Sequence, residues 1–293
     1  MGNLVRLISK EGDLCCMATD SADIVREAHA IHGTTNVCSA ALGRLLTAAS
    51  LMGSALKGED NSLTLRINGN GTSGSVIAVS DYKGNVRGYI ANPRVSIPLN
   101  GKGKLDVAGA VGHDGTLTVM KDLGLKEPYI GQVPLVTGEI AEDVTSYFAV
   151  SEQVPTVCAL GVLCAPDTEE IITAGGFLIQ LLPTATDDTI DKVERGIAGI
   201  PSVTSMLTEG MTPEQICRRV LPEFELEVLD ETETTYKCNC SKLRVETALI
   251  SLGAEELTSM AEEENTEVCC HFCGNKYNFT SEDIKRILTN SGV

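Results

Sequence analysis

Apolar residues between positions 20 and 57 recur at helical spacing. Ile24, Val25, Ala28 and Ile31 form one stripe, with Asp20 as the expected N-cap and Gly33 as the expected stop. A second helix is expected over residues 37–57, crowded with Ala, Gly and Ser that let neighbouring backbones approach closely, and ended by Gly58. From 62 to 136 the period changes to two. Short β-branched runs such as Leu63-Thr64-Leu65-Arg66-Ile67 and Ser75-Val76-Ile77-Ala78-Val79 alternate with Asn-Gly and Lys-Gly turns, the pattern of an antiparallel meander. Residues 139–152 read as a helix. Residues 156–163 and 170–182 read as strands, the second interrupted by Gly175-Gly176.

After Pro183 the apolar density falls and the chain breaks into short amphipathic pieces punctuated by Gly196, Gly199, Pro201, Gly210, Pro213 and Pro222. One piece is well marked. Thr212 is placed as N-cap, Pro213 at the first helical position and Gln215 to complete a capping box, followed by Ile216, Val220 and Leu221. Helices this short are marginal without tertiary packing. Phe224, Leu226 and Val228 then alternate with glutamates, as in a half-buried strand. Near the C-terminus, residues 241–252 read as a helix with Val245, Ala248, Leu249 and Leu252 on one face. Thr280 and Asp283 cap a last helix carrying Ile284, Ile287 and Leu288. The expected fold class is α+β: a large N-terminal α+β domain with an antiparallel sheet over 1–182, a metastable helical linker over 183–230, and a small C-terminal domain over 231–293. So few apolar residues cannot stabilise the last unit alone, so it needs a staple.

Composition narrows the function classes. Lys plus Arg total 23 against 40 Asp plus Glu, a formal charge of −17. Such a surface repels phosphate backbones, so nucleic acid is a poor candidate partner. No uninterrupted apolar run reaches the roughly 18 residues a membrane span requires, because the best segment, 40–56, carries Arg44 and reads as a buried helix. No membrane partner is expected. The first residues lack the features of a secretory signal, so a cytoplasmic location is expected. In that compartment eleven cysteines cannot be a disulfide framework and must be metal ligands, redox groups or core residues.

Cys238-Asn239-Cys240 is separated from Cys270-His271-Phe272-Cys273 by 29 residues. Two close pairs that converge from a distance suit tetrahedral zinc, so one zinc ion is expected on Cys238, Cys240, Cys270 and Cys273 as a closed four-thiolate site. Gly274 permits the left-handed turn that lets backbone N–H groups face such sulfurs. Cys269 could replace Cys270 at the cost of a CxxxC spacing. A purely structural zinc ribbon is the simplest alternative. Against it, residues 223–293 carry 15 acidic and 6 basic side chains, whereas ribbons that serve nucleic acid are basic. A cysteine pair one residue apart can also close into a strained disulfide ring, so the site has oxidised products within reach.

Cys15, Cys16, Cys38, Cys158, Cys164 and Cys217 read as small core residues. His29, His32 and His113 have no visible partners, and His271 reads as a surface residue. The Gly-rich segment 69–74 lacks a lysine and a following helix, so it reads as a hairpin turn rather than a nucleotide site. Glu139 and Glu152 suggest no acid and base pair. Ser151-Glu152-Gln153 reads as a helix end bonded to the next strand.

The CxC, 29-residue, CxxC arrangement at the end of a chain near 31 kDa resembles the 33 kDa chaperonin family, the redox-regulated heat-shock chaperones of bacteria. Tyr147-Phe148-Ala149-Val150-Ser151-Glu152-Gln153-Val154-Pro155-Thr156 resembles the family's Y-x-x-SEQ-x-PT segment. Gly43-Arg44 and Ala174-Gly175-Gly176 before Gln180 and Pro183 are similar to family positions, and the likeness extends over essentially the whole chain. The resemblance implies a non-enzymatic holdase that needs no ATP and binds unfolding or oxidatively damaged client proteins, as a homodimer when active. It further implies an inactive reduced, zinc-bound form. Oxidation would pair Cys238 with Cys240 and Cys270 with Cys273, release zinc, unfold the C-terminal unit and destabilise the linker, where Ile190, Val193 and Ile197 could then meet clients. The rivals are a thiol–disulfide oxidoreductase using the CxxC pair and a zinc-dependent hydrolase or deaminase. The first would place its cysteine at a helix N-terminus, and the second needs an open metal position.

Overall fold

In the computed structural model, which describes residues 2–291, the chain divides into two units, Met1–Lys237 and Cys238–Val293. The first begins with an antiparallel hairpin of β1 (Gly2–Ser9) and β2 (Leu14–Asp20), followed by α1 (Ala22–His32) and α2 (Asn36–Gly53). The N-cap of α1 is Ser21 rather than Asp20, but the Asp20 carboxylate still serves the helix start by accepting from Ala22 N–H at 3.0 Å. Gly33 ends α1 in the left-handed conformation at φ 59°, as the sequence predicts.

Nearly every residue of α2 is buried, because the helix lies between two five-stranded sheets. A helix apolar all round its circumference is stable only in such a place. It stops at Gly53, short of the expected Gly58. A Cβ at Gly53 would lie 2.1 Å from Ser80 Oγ, so the helix ends where it meets the second sheet, and tight turns carry the chain on through Leu56.

The second sheet is built from β3 (Ser62–Gly69), β4 (Val76–Asp81), β5 (Val86–Ile90), β6 (Gly115–Asp122) and β7 (Tyr129–Pro134), with the short helix α3 (Val107–Val111) between β5 and β6. Its order is β5-β4-β3-β6-β7, all antiparallel. This departs from a simple meander, since β6 returns to the free side of β3 instead of pairing with β5. Residues 69–74 form the β3–β4 connection, the hairpin turn that the sequence predicts.

The helix expected over 139–152 is α4 (Ala141–Tyr147) continued by a π-helical turn at Phe148–Glu152. Two long strands follow, β8 (Thr156–Cys164) and β9 (Ile171–Leu181), and Gly175-Gly176 does not interrupt the second. A Cβ at Gly175 would come within 2.4 Å of the Thr19 carbonyl and one at Gly176 within 2.7 Å of the Ala159 carbonyl. The glycines thus allow close flanking by β2 and β8.

Residues 183–230 supply α5 (Asp187–Ile197), α6 (Val203–Thr208) and α7 (Pro213–Val220), then enter β10 (Leu226–Thr234), which pairs with β1. The first sheet is therefore ordered β10-β1-β2-β9-β8. Strand alternation divides its residues between two cores. Leu4, Met17 and Leu178 face α2, whereas Leu7, Leu14, Phe177 and Ile179 face α5–α7 and pack on Val193, Met206, Ile216 and Val220. The capping box of α7 forms as read: Thr212 Oγ1 accepts from Gln215 N–H at 3.2 Å and Gln215 Oε1 accepts from Thr212 N–H at 2.9 Å. Val228, expected to be half-buried, is exposed because a bulge opposite Arg6 and Leu7 breaks the alternation of β10.

The second unit contains α8 (Lys242–Ile250), α9 (Ala254–Met260), a hairpin of β11 (Asn265–Cys269) and β12 (Lys276–Thr280), and α10 (Ser281–Ser291). Its fully buried core consists of Leu249, Leu257, Ala261, Phe279, Ile284 and Ile287. On α8 only Val245 and Leu249 of the expected stripe face inward. Ala248 and Leu252 are exposed, because the core reaches only the narrow i, i+4 edge of this helix. Thr280 and Asp283 form the expected reciprocal cap, with N–H groups donating at 3.2 Å each way.

Candidate metal centre

The hairpin between β11 and β12 turns through Cys270-His271-Phe272-Cys273-Gly274. Cys270 N–H donates to the Asn275 carbonyl and Gly274 N–H to the Cys270 carbonyl, both at 2.8 Å, and Gly274 adopts φ 71°. A side chain would be strained there, so the glycine is what allows the two cysteines to project from one knuckle. Cys238 and Cys240 arrive from the extended segment before α8. The four sulfurs all lie within 4.8 Å of one another. Contacts run across the two pairs, 3.7 Å from Cys238 to Cys270 and 3.4 Å from Cys240 to Cys273.

These separations can be tested against a metal. Four thiolates at about 2.3 Å from a tetrahedral zinc ion stand roughly 3.8 Å apart. The two contacts across the pairs are slightly shorter than this and all six separations stay within 4.8 Å, and the donor set is uniformly soft, so the residues fit a thiophilic ion with a closed shell. Cys269, next to Cys270, is exposed and donates to the Gly274 carbonyl at 3.6 Å, outside the four-sulfur cluster. His271 is exposed.

As free thiols Cys238, Cys240 and Cys273 are inequivalent. Burial works against a thiolate at Cys240, yet hydrogen bonds from Tyr277 and the neighbouring thiols bring it down to about 7. Burial, reinforced by hydrogen bonding to its neighbours, pushes Cys273 well up, and burial also raises Cys238. Tyr277 donates its hydroxyl to Cys240 Sγ at 3.1 Å, and Asn275 Nδ2 lies 3.9 Å from the same sulfur. Neither residue was identifiable from motif spacing. The available signal is the period of β12, which puts Tyr277 on the same face as the buried Phe279.

The other cysteines behave as core residues: Cys16, Cys38, Cys164 and Cys217 are buried, and Cys15 and Cys158 are partly so. The histidines read as partnerless do have partners. His29 Nδ1 lies 3.2 Å from the hydroxyls of Thr34 and Ser39, His32 Nε2 2.9 Å from the Gly88 carbonyl, and His113 Nδ1 2.8 Å from the Thr137 carbonyl.

The segments beyond the cysteines that carry the family resemblance are scaffolding. A Cβ at Gly43 would sit 2.8 Å from both Val25 Cγ1 and Val162 Cγ2. Arg44 pairs with the Glu139 carboxylate. Glu152 accepts from the Tyr147 hydroxyl and from Lys121 Nζ at 2.7 Å, and Ser151 Oγ meets the Tyr129 hydroxyl at 3.0 Å. The Ser151-Glu152-Gln153 turn is thus bonded to the preceding strands β6 and β7 as well as ending its helix.

The sequence model of the Hsp33 protein family matches residues 2–280. The chain belongs to the Hsp33 family. Among its relatives, the 33 kDa chaperonin of Clostridioides difficile is 48% identical over 286 residues, covering 97% of this chain and 98% of its own length. That of Acetivibrio thermocellus is 46% identical over 286 residues, covering 97% and 96%. The crystal structure of a 33 kDa chaperonin from Thermotoga maritima superposes with a TM-score of 0.90 at 37% identity, covering 99% of this chain and 98% of that one. The family name points to a heat-shock chaperone rather than an enzyme. No helix among the described residues is long and apolar enough to cross a membrane.

Proposed function

We propose that this Hsp33-family chain is an ATP-independent holdase whose client binding is governed by the oxidation state of Cys238, Cys240, Cys270 and Cys273. The observation that carries this reading is that the unit with the thinnest core is the one closed by four sulfurs. In the reduced state the four thiolates hold one zinc ion, which supplies a structural cross-link and no open coordination position. Structural zinc contributes roughly 10–16 kcal/mol of apparent binding energy in small domains. That is comparable to the whole stability of an ordinary domain, about 5–15 kcal/mol.

Oxidation removes the donors. Cys238 with Cys240 and Cys270 with Cys273 each form a disulfide, giving up two electrons per pair. Two molecules of peroxide accept these four electrons and leave as hydroxide or water. Disulfide sulfurs would no longer hold the ion, and the small core cannot keep residues 238–293 folded. Disorder then spreads into residues 183–230. Lifting α5–α7 uncovers Val193, Met206, Ile216 and Val220 together with Leu7, Leu14 and Phe177 on the sheet, a patch suited to the apolar segments of unfolding clients. The active form is a homodimer in the cytoplasm. With a charge of −17 it has no nucleic acid partner, and no membrane is involved.

The test is light scattering from a thermally unfolding client enzyme, without ATP, in the presence of the reduced zinc-loaded chain or the peroxide-oxidised chain. Suppression by the oxidised form alone supports the reading, and equal suppression by both removes the switch. A parallel insulin-reduction assay addresses the oxidoreductase rival, which requires turnover at the CxxC pair.

A further inference from the structure

Outside the metal centre, two of the remaining cysteines meet. Cys16 on β2 and Cys217 on α7 are fully buried, and their sulfurs are 3.0 Å apart. The alternation of β2 makes this pairing specific. Cys16 shares a face with Leu14 and Ala18, beneath the helices of residues 183–230, whereas Cys15 belongs to the opposite face, toward α2. On α7, Cys217 lies among the buried Ile216 and Val220. The other buried cysteines find backbone carbonyls instead: Cys38 Sγ donates to the Asn92 carbonyl at 3.3 Å and Cys164 Sγ to the Asn36 carbonyl at 3.8 Å. Among the described cysteines of this unit, only Cys16 and Cys217 are hydrogen-bonded sulfur to sulfur. Bringing their sulfurs to the disulfide length of about 2.05 Å requires a movement of roughly 1 Å.

We infer that Cys16 and Cys217 form a second disulfide site, a latch that fastens helix α7 to strand β2. The oxidant is a low-molecular-weight disulfide. When α7 lifts, the Cys217 thiolate attacks one sulfur of that disulfide, forming a mixed disulfide and expelling one small thiolate. Cys16, losing its proton to solvent, then attacks the Cys217 sulfur, forming the protein disulfide and expelling the second small thiol. Two protein thiols are oxidised and one small disulfide is reduced to two thiols. In the closed state burial holds the Cys16 thiol protonated, so the reaction is slow until the helix opens. The latch opposes release of residues 183–230, and so acts in the opposite sense to oxidation of the four-cysteine site.

The experiment uses the full chain in zinc-supplemented buffer, equilibrated with glutathione and glutathione disulfide from both the reduced and the oxidised side until the two agree. Thiols are then trapped by alkylation and the peptides mapped without reduction. The expected result is a linked pair of peptides containing Cys16 and Cys217, retained in a Cys15→Ser variant and lost in Cys217→Ser. Amide exchange across residues 214–220 should be slower in the linked form by more than about tenfold, because a disulfide restricts the open chain. Recovery of Cys16 and Cys217 as separate alkylated or glutathionylated peptides in the most oxidising buffer would overturn the inference. So would a linkage that disappears in Cys15→Ser.

Discussion

Tyr277 donates its hydroxyl proton to the sulfur of Cys240 across 3.1 Å, from the strand that immediately follows the cysteine knuckle. That bond stabilises negative charge on a sulfur and orients it toward the other three, the role that outer groups commonly play around a metal ligand. Replacing such a group typically lowers metal affinity by about 10–100-fold. Tyr277→Phe is therefore expected to weaken zinc binding by about tenfold without changing the stoichiometry of one ion per chain, as read by competition with a chromogenic chelator. An unchanged affinity would mean that the hydroxyl is ornamental.

The ligand set makes a sharper division between neighbours. Cys238→Ser and Cys273→Ser should each lower zinc content and increase the protease sensitivity of residues 238–293. Cys269→Ser should leave both unchanged, since its sulfur faces the Gly274 carbonyl. Metal analysis after gel filtration decides this, and loss of zinc in the Cys269 variant would make Cys269 a ligand.

In the first unit the fully buried Tyr147 directs its hydroxyl at Glu152, which also receives Lys121. Desolvation pushes the Glu152 carboxyl up, but hydrogen bonds from Lys121 and Tyr147 outweigh it and hold the group below its ordinary value of 4.5. A carboxylate with a depressed folded pKa adds stability that is present above its unfolded value and is lost as pH falls through the folded one. Acid should thus destabilise this unit below about pH 4.5, and Glu152→Gln should flatten that part of the curve. Tyr147→Phe should cost about 2 kcal/mol at neutral pH, the order expected for a hydrogen bond to a charged group. Denaturant unfolding across pH measures both, with zinc content at neutral pH, which neither substitution should change, as the control.

Local chemistry was what the sequence made legible. The stop at Gly33 and the Thr212-Pro213-Gln215 cap depend on residues close together in the chain, and both stand in the structure as read; each cysteine pair is equally local, and the structure brings the two pairs together with all four sulfurs within 4.8 Å. What escaped depends on distant partners. Nothing near Gly115 says that β6 pairs with β3, and nothing near Gly53 says that Ser80 will stop α2 there. The inward path of α8, the bulge that exposes Val228 and the bond from Tyr277 to Cys240 are likewise set by packing between segments far apart in sequence. The partners of His29 and His32 were missed for a different reason. They are hydroxyls and carbonyls, which leave no spacing signature.

The central claim is that holding a metal and withholding client binding are one property of the four cysteines. The most direct measurement is a single titration of the reduced, zinc-loaded chain with peroxide, following zinc release with a chromogenic chelator and suppression of client aggregation by light scattering on the same samples. The account predicts that chaperone activity rises in proportion to zinc released and that both are reversed by a dithiol reductant with added zinc. Full activity before any zinc is released, or complete release without activity, would contradict it.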